Sequence, residues 1–455
     1  MKYLLLLMLC AAGFATTGQT RREDIYTDFV LYNKRVALEK DLRERVVGRH
    51  FAAPLDSNTE DGYLSACWAV EQFLFDGPEV REGFDRLFAG YGGLSYDTKR
   101  ALLEAVYAVG EARYRREMDS LLMQEEDARL FALCAVYLFR ADTGVERSNE
   151  LKIRMVEQFP GYDTIPVLRE LQGYLSFVEF GRAPKSEGRQ RSEGRPDLGE
   201  LFAWQQKTGE KTIYSFQRWD RDYGGVAIVQ NADGSFARDG EGRLQVFEQL
   251  ARSAPGLPYF LTNGNTPQGV YHIEGIGVSK VNYIGPTPNL QLLLPGEGKW
   301  ADFFPGMDSI GGDSLKRYRG LLPPGWRDYA PMMEAWAAGA IGRTEIIAHG
   351  TTIDPEYFKG KPFYPLTPTM GCLCAKELWN VTTGHPLVSE QNELVNAFLA
   401  TPGRQGLLIV VNLDDRRRAV SREEVEALVR EYMKNPRLLT GGGKNLRKED
   451  RRSAR

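Results

Sequence analysis

Residues 344–374 read TEIIAHGTTIDPEYFKGKPFYPLTPTMGCLC. The run Ile346-Ile347-Ala348 is strand-like and carries His349 to an edge, where Gly350 lets the backbone turn closely. Thr369, Met370 and Gly371 then lead into Cys372, with a second thiol at Cys374. A cysteine acts as a nucleophile when its thiolate is accessible and a base or a positive environment favours it. Histidine is the usual base because it takes and returns a proton near neutral pH. Backbone N–H groups at Gly371 and Cys372 would then converge on a developing oxyanion. By spacing alone, the same residues also fit a folded β-rich segment with a core thiol and a turn histidine.

The rest of the chain narrows the setting. Its 455 residues exceed one ordinary core, so two domains are expected. Lys plus Arg (58) nearly balances Asp plus Glu (61), which leaves no global field for nucleic acid. The opening MKYLLLLMLCAAGFATTGQT, residues 1–20, has a lysine, an apolar run and then small residues, the pattern of a cleaved export signal. A periplasmic or extracytoplasmic protein follows, one that is not integral to the membrane once the signal is removed. Cys67 and Cys134 sit in apolar helical contexts and read as buried small hydrophobes. A bridge between Cys372 and Cys374 is awkward across one extended residue. Two thiols and a distant imidazole also fall short of a four-ligand metal set.

From 21 to 180 the apolar residues recur three or four apart, as in DGYLSACWAVEQFLF and EEDARLFALCAVYLF, and predict an all-helical domain with Asp61 and Asp97 as caps. Residues 181–205 begin with Gly-Arg steps and prolines and read as an exposed linker. From 206 to 438 the period changes. TIYSFQ, GVAIVQ, GVYHIEGIG and GLLIVVNL are strand candidates separated by Gly, Asn and Pro turns, with NADGSF as a hairpin connection. Ser421 and Glu424 form a capping box ahead of a last helix, and a basic tail spans 439–455.

Over about residues 210–415 the chain resembles the L,D-transpeptidases, the YkuD-like cysteine enzymes of bacterial cell walls. His349-Gly350 resembles the base position, and Thr369, Gly371 and Cys372 resemble the nucleophile motif. Residues 266–273, TPQGVYHI, resemble the family's upstream strand. The resemblance implies a multidomain α and β protein: an N-terminal all-helical domain, then a β-rich catalytic domain. It implies Cys372 as nucleophile, His349 as base and Gly371 at the oxyanion. Gly350, Thr369, Met370, Cys374, Tyr364 and His272 are then candidates for substrate contact. The substrate would be a peptidoglycan stem peptide, with no cofactor and no metal. Met370 stands where the family motif has histidine, and Cys374 where it has Arg or Asn, so a hydrogen-bond donor and a cation or amide are missing from those two positions. Three outcomes stay open: transpeptidation, L,D-carboxypeptidase trimming, and non-catalytic wall binding with the helical half as a protein-interaction module.

Overall fold

The computed structural model describes residues 19–110, 112–181, 194–304 and 313–435. The expected signal through residue 18, the basic tail and residues 182–193 of the expected linker lie outside them. Among the described residues, no helix is long and apolar enough to cross a membrane.

The architecture is mixed: a helical region, then a β-rich region built on a closed eight-stranded barrel. Helices Glu60–Phe73, Tyr96–Val109 and Ala128–Ala141 form where the apolar spacing predicts them and bury that stripe together, with Cys67 and Cys134 fully enclosed. Asp61 and Asp97 are not the caps. The first helix already begins at Glu60, and Ser95 caps the second by accepting from the Thr98 N–H at 3.3 Å. Both aspartates lie in first turns, where their charge favours the positive end of the helix dipole. The Ser421–Glu424 capping box forms as read.

The strands are β1 Thr212–Gln217, β2 Gly225–Gln230, β3 Phe247–Leu250, β4 Gly269–Gly277, β5 Asn289–Leu293, β6 Ala348–His349, β7 Leu373–Ala375, β8 Glu377–Trp379, β9 Pro386–Ser389 and β10 Gly406–Asn412. Around the barrel the order is β1-β10-β4-β5-β6-β7-β3-β2, while β8 and β9 pair separately. The β1–β10 and β6–β7 pairs are parallel and the others antiparallel. Every residue of β1, β2 and β10 is buried, because both faces are covered. On one face Ile213, Tyr271, Ala348 and Leu373 meet Leu394 and Phe398 of helix Glu390–Leu399. On the other, Tyr214, Phe216 and Ile228 meet Leu201 and Phe202 and, from the last helix, Val425 and Val429.

Leu201 and Phe202 correct the expected linker. Within 181–205, residues 198–205 belong to helix Leu198–Thr208, capped by Asp197 and packed on the barrel. The two regions also share one core. Leu257, Phe260 and Leu261, from the loop between β3 and β4, lie in the same buried cluster as Phe73, Leu102 and Phe131 of the helices.

Candidate active site

β6 and β7 run side by side in parallel, Ala348 opposite Leu373 and His349 opposite Cys374. Ala348 and Leu373 lie in the cluster that holds Leu394 and Phe398, so alternation within the two strands puts His349 and Cys374 on the other face. Cys372, just before β7, stands two residues from Cys374, the partner of His349 in this register. The Ile347 N–H donates to Cys372 Sγ at 3.5 Å, and Sγ–H donates to the Glu345 carbonyl at 3.4 Å.

The two thiols flanking Leu373 differ. Cys372 is partly exposed and Cys374 is buried between Leu250 and His349. Burial, helped by Glu377 and Cys372, pushes the Cys374 thiol well up, so it stays protonated. A buried neutral thiol is an inert one.

His349 is buried, and its Nδ1 sits against the Gly350 carbonyl. Nδ1 thus carries the proton, and Nε2 is the nitrogen able to accept one. Burial pulls the imidazole down to about 4, so at neutral pH His349 is a base and not a cation. Gly350 has no room for a side chain: a Cβ there would run into the Glu377 carboxyl. Glu377 accepts from Thr351 N–H at 3.1 Å and from Ser389 Oγ at 2.8 Å, and burial raises it to about 8.

The turn before the nucleophile is stitched by hydroxyls. Thr369 Oγ1 accepts from the Gly371 N–H at 3.1 Å and donates to the Cys372 carbonyl at 2.8 Å. Thr266 Oγ1 donates to the Gly371 carbonyl at 2.9 Å. The Gly371 N–H, expected to face an oxyanion, is thus engaged in holding the turn. Gly371 has φ +119°, and a Cβ there would meet Arg343 Nη2 and, at 2.8 Å, the Gly264 carbonyl. Glycine is required on both counts.

Comparison with known proteins finds no matching family model, no similar curated protein and no similar solved structure. What the site can do therefore rests on its own geometry. It brings together His349, Gly350, Thr369, Gly371 and Cys372, with Cys374 alongside and Met370 half-buried inside the turn. It does not bring in His272. That ring lies on β4, separated from β6 by β5, and packs 6.4 Å from Phe303. Burial lowers its pKa too. Tyr364 sits on the intervening loop, where its hydroxyl donates to Glu356 at 2.6 Å.

Residues 266–269 form a polar clamp beside the turn. Gln268 donates from N and Nε2 to Glu334 at 2.8 and 3.0 Å, and its Oε1 accepts from the Asn412 N–H at 2.9 Å. Burial raises Glu334 to about 7.

Two neighbours were missed from sequence, Arg343 and Glu377. A charged residue flanked by Lys376, Leu378 and Trp379 in a short strand was the available signal for Glu377. For Arg343 there was none, since its partners lie some eighty residues away.

Proposed function

We propose that the protein is an exported cysteine acyltransferase of the L,D-transpeptidase type, acting on peptidoglycan stem peptides. The observation that carries this reading is the parallel pairing of β6 with β7, which brings the backbone of a buried, neutral imidazole to within two residues of a partly exposed thiol while the second thiol is sealed away. The helix-and-barrel architecture is compatible with an L,D-transpeptidase-like catalytic region.

In this mechanism His349 Nε2 takes the proton from Cys372 Sγ. The sulfur attacks the diaminopimelate carbonyl of the stem, and the proton held on His349 passes to the departing D-alanine amine. A thioester on Cys372 remains. An amine from a second stem then attacks it, forming the new amide and returning the proton to sulfur. Thr369 and Thr266 hold the turn that presents Sγ.

The test is mass analysis of diaminopimelate-type tetrapeptide muropeptides incubated with the protein and with Cys372→Ala. The expected result is a crosslinked dimer with D-alanine released, absent with the variant. A Cys372-dependent tripeptide without dimer would make the protein an L,D-carboxypeptidase. No product from the unaltered protein would sink the enzymatic reading in favour of wall binding.

A further inference from the structure

Buried guanidinium groups are ordinarily paired with carboxylates, because an uncompensated charge in the interior is costly. Arg343 departs from that rule. It is only 8 % exposed, and among the described residues its hydrogen bonds go to backbone carbonyls: Tyr259, Asn265 at 2.9 Å and Gly264 at 2.9 Å. No ion pair involves it among those residues. Carbonyl dipoles hold the group in place but supply no negative charge. Its Nη2 lies directly against Gly371, at the point where any side chain would collide with it, and Cys372 is the next residue.

Among the described residues, the other titratable groups named here supply no positive charge to this thiol at neutral pH. His349 is kept neutral by burial, and Cys374 and Glu377 are kept protonated by it. The Tyr271 phenol, pushed up by burial, donates to the Pro267 carbonyl. Glu345 offers its carbonyl to Sγ–H, and its own N–H donates to Glu297 at 2.7 Å. Arg221 is a second buried cation, but it donates to the Thr266 carbonyl and is drawn to Glu334. Burial lowers Arg343 only to about 10, so it remains charged, and a negative Cys372 favours that charge.

We infer that Arg343 is the counter-ion of the Cys372 thiolate: a positioning residue that shapes the Gly371 turn and compensates negative charge on Sγ. The inference rests on Cys372 being the nucleophile. No proton or bond passes through Arg343. The proton leaves Sγ for His349, and the guanidinium lowers the cost of the anion left behind. The helical region takes part, because the carbonyl cage belongs to the loop whose Phe260 and Leu261 are buried among the helices and whose Asn263 donates to Glu104 at 3.1 Å.

The experiment is the pH dependence of iodoacetamide alkylation on the full chain, read at the Cys372 peptide by mass spectrometry. The unaltered protein is expected to show a midpoint below the ~8.5 of an ordinary thiol. Arg343→Met should raise it by about one unit or more, and Arg343→Lys, which keeps the charge, should restore most of the difference. A midpoint at or above ~8.5 in the unaltered protein overturns the inference without any variant. So does an unchanged midpoint in a folded Arg343→Met protein, which would leave Arg343 a purely structural role. If Cys372 resists alkylation throughout in the unaltered protein, the nucleophile reading falls with it. If it reacts with a low midpoint that ignores Arg343, only the counter-ion inference falls.

Discussion

Two buried arginines sit at different places on the barrel, and their surroundings are opposite. Arg218, just after β1, is 0 % exposed and meets Asp414 at 2.8 Å and Glu424 at 2.6 Å, with further bonds to the Arg418 and Ala419 carbonyls. Its charge is compensated within the fold, and it locks the last helix onto the barrel end. Arg343 is nearly as buried but, among the described residues, its hydrogen bonds go only to carbonyls, beside a thiol. A compensated interior charge has completed its role once the chain is folded. An uncompensated one is poised to stabilise an anion that forms during function. The same residue type, equally invisible to composition, thus serves stability in one place and chemistry in the other.

The largest effect expected is at the thiol itself. Cys372→Ala should abolish transfer, a loss on the order of a thousandfold or more. Cys374→Ala should keep most of the activity, since that thiol is buried and protonated. Muropeptide turnover by both variants decides this, and equal loss in the two would erase the distinction between the paired thiols.

The contrast between the arginines gives the next effect. Arg218→Met removes the buried cation from Asp414 and Glu424, which keep only the more exposed Arg416 and Arg418, and strands the Arg418 and Ala419 carbonyls, which should together cost about 3–4 kcal/mol in denaturant unfolding. It should leave the Cys372 alkylation midpoint where it was. A shift in that midpoint would show that the two arginines do not divide the work as their partners suggest.

A somewhat smaller loss, about 3 kcal/mol, is expected for Phe260→Ala, which opens a cavity in the core shared by helices and barrel. Because the loop around Phe260 also carries the carbonyls that hold Arg343, Cys372 reactivity should fall with it. Lost stability with untouched thiol kinetics would mean that the helical region covers the barrel without tuning its site.

Much of this was readable in advance because it depends on local pattern. Apolar spacing marks the helices around Cys67, Leu102 and Cys134, and unbroken apolar runs mark β1, β2 and β10. The placement of His349 on β6 and of Cys372 just before β7 was legible because strand-like runs mark both. The failures are non-local, or came from weighing composition over periodicity. Leu198, Leu201 and Phe202 have helical spacing, but the Gly-Arg steps and prolines before them drew the whole of 181–205 into a linker. His272 was grouped with the site for its chemistry, whereas its place on β4 turns it toward Phe303. Arg343 and Glu377 acquire their character only from burial by distant segments.

Glu377 offers the smallest effect and the finest test of how burial sets charge here. The ordinary glutamate value is 4.5, and burial lifts this one to about 8. Between those limits the folded state keeps a proton that the unfolded chain releases. By linkage, stability must then fall as pH rises through this window and level off above it. Glu377→Gln mimics the protonated acid: its carbonyl and amide can still serve Thr351 and Ser389, and it has no charge to bury. Unfolding free energies at pH 6 and pH 8 should therefore diverge, with the glutamate protein losing about 2 kcal/mol relative to the variant. Taking the difference against the variant removes the opposite trend of His349, whose lowered value makes stability rise with pH between about 4 and 6.5. A flat difference would mean that Glu377 is ionised within the fold at pH 6, which would place a negative charge directly beneath Gly350 and undo the account of a neutral floor under His349.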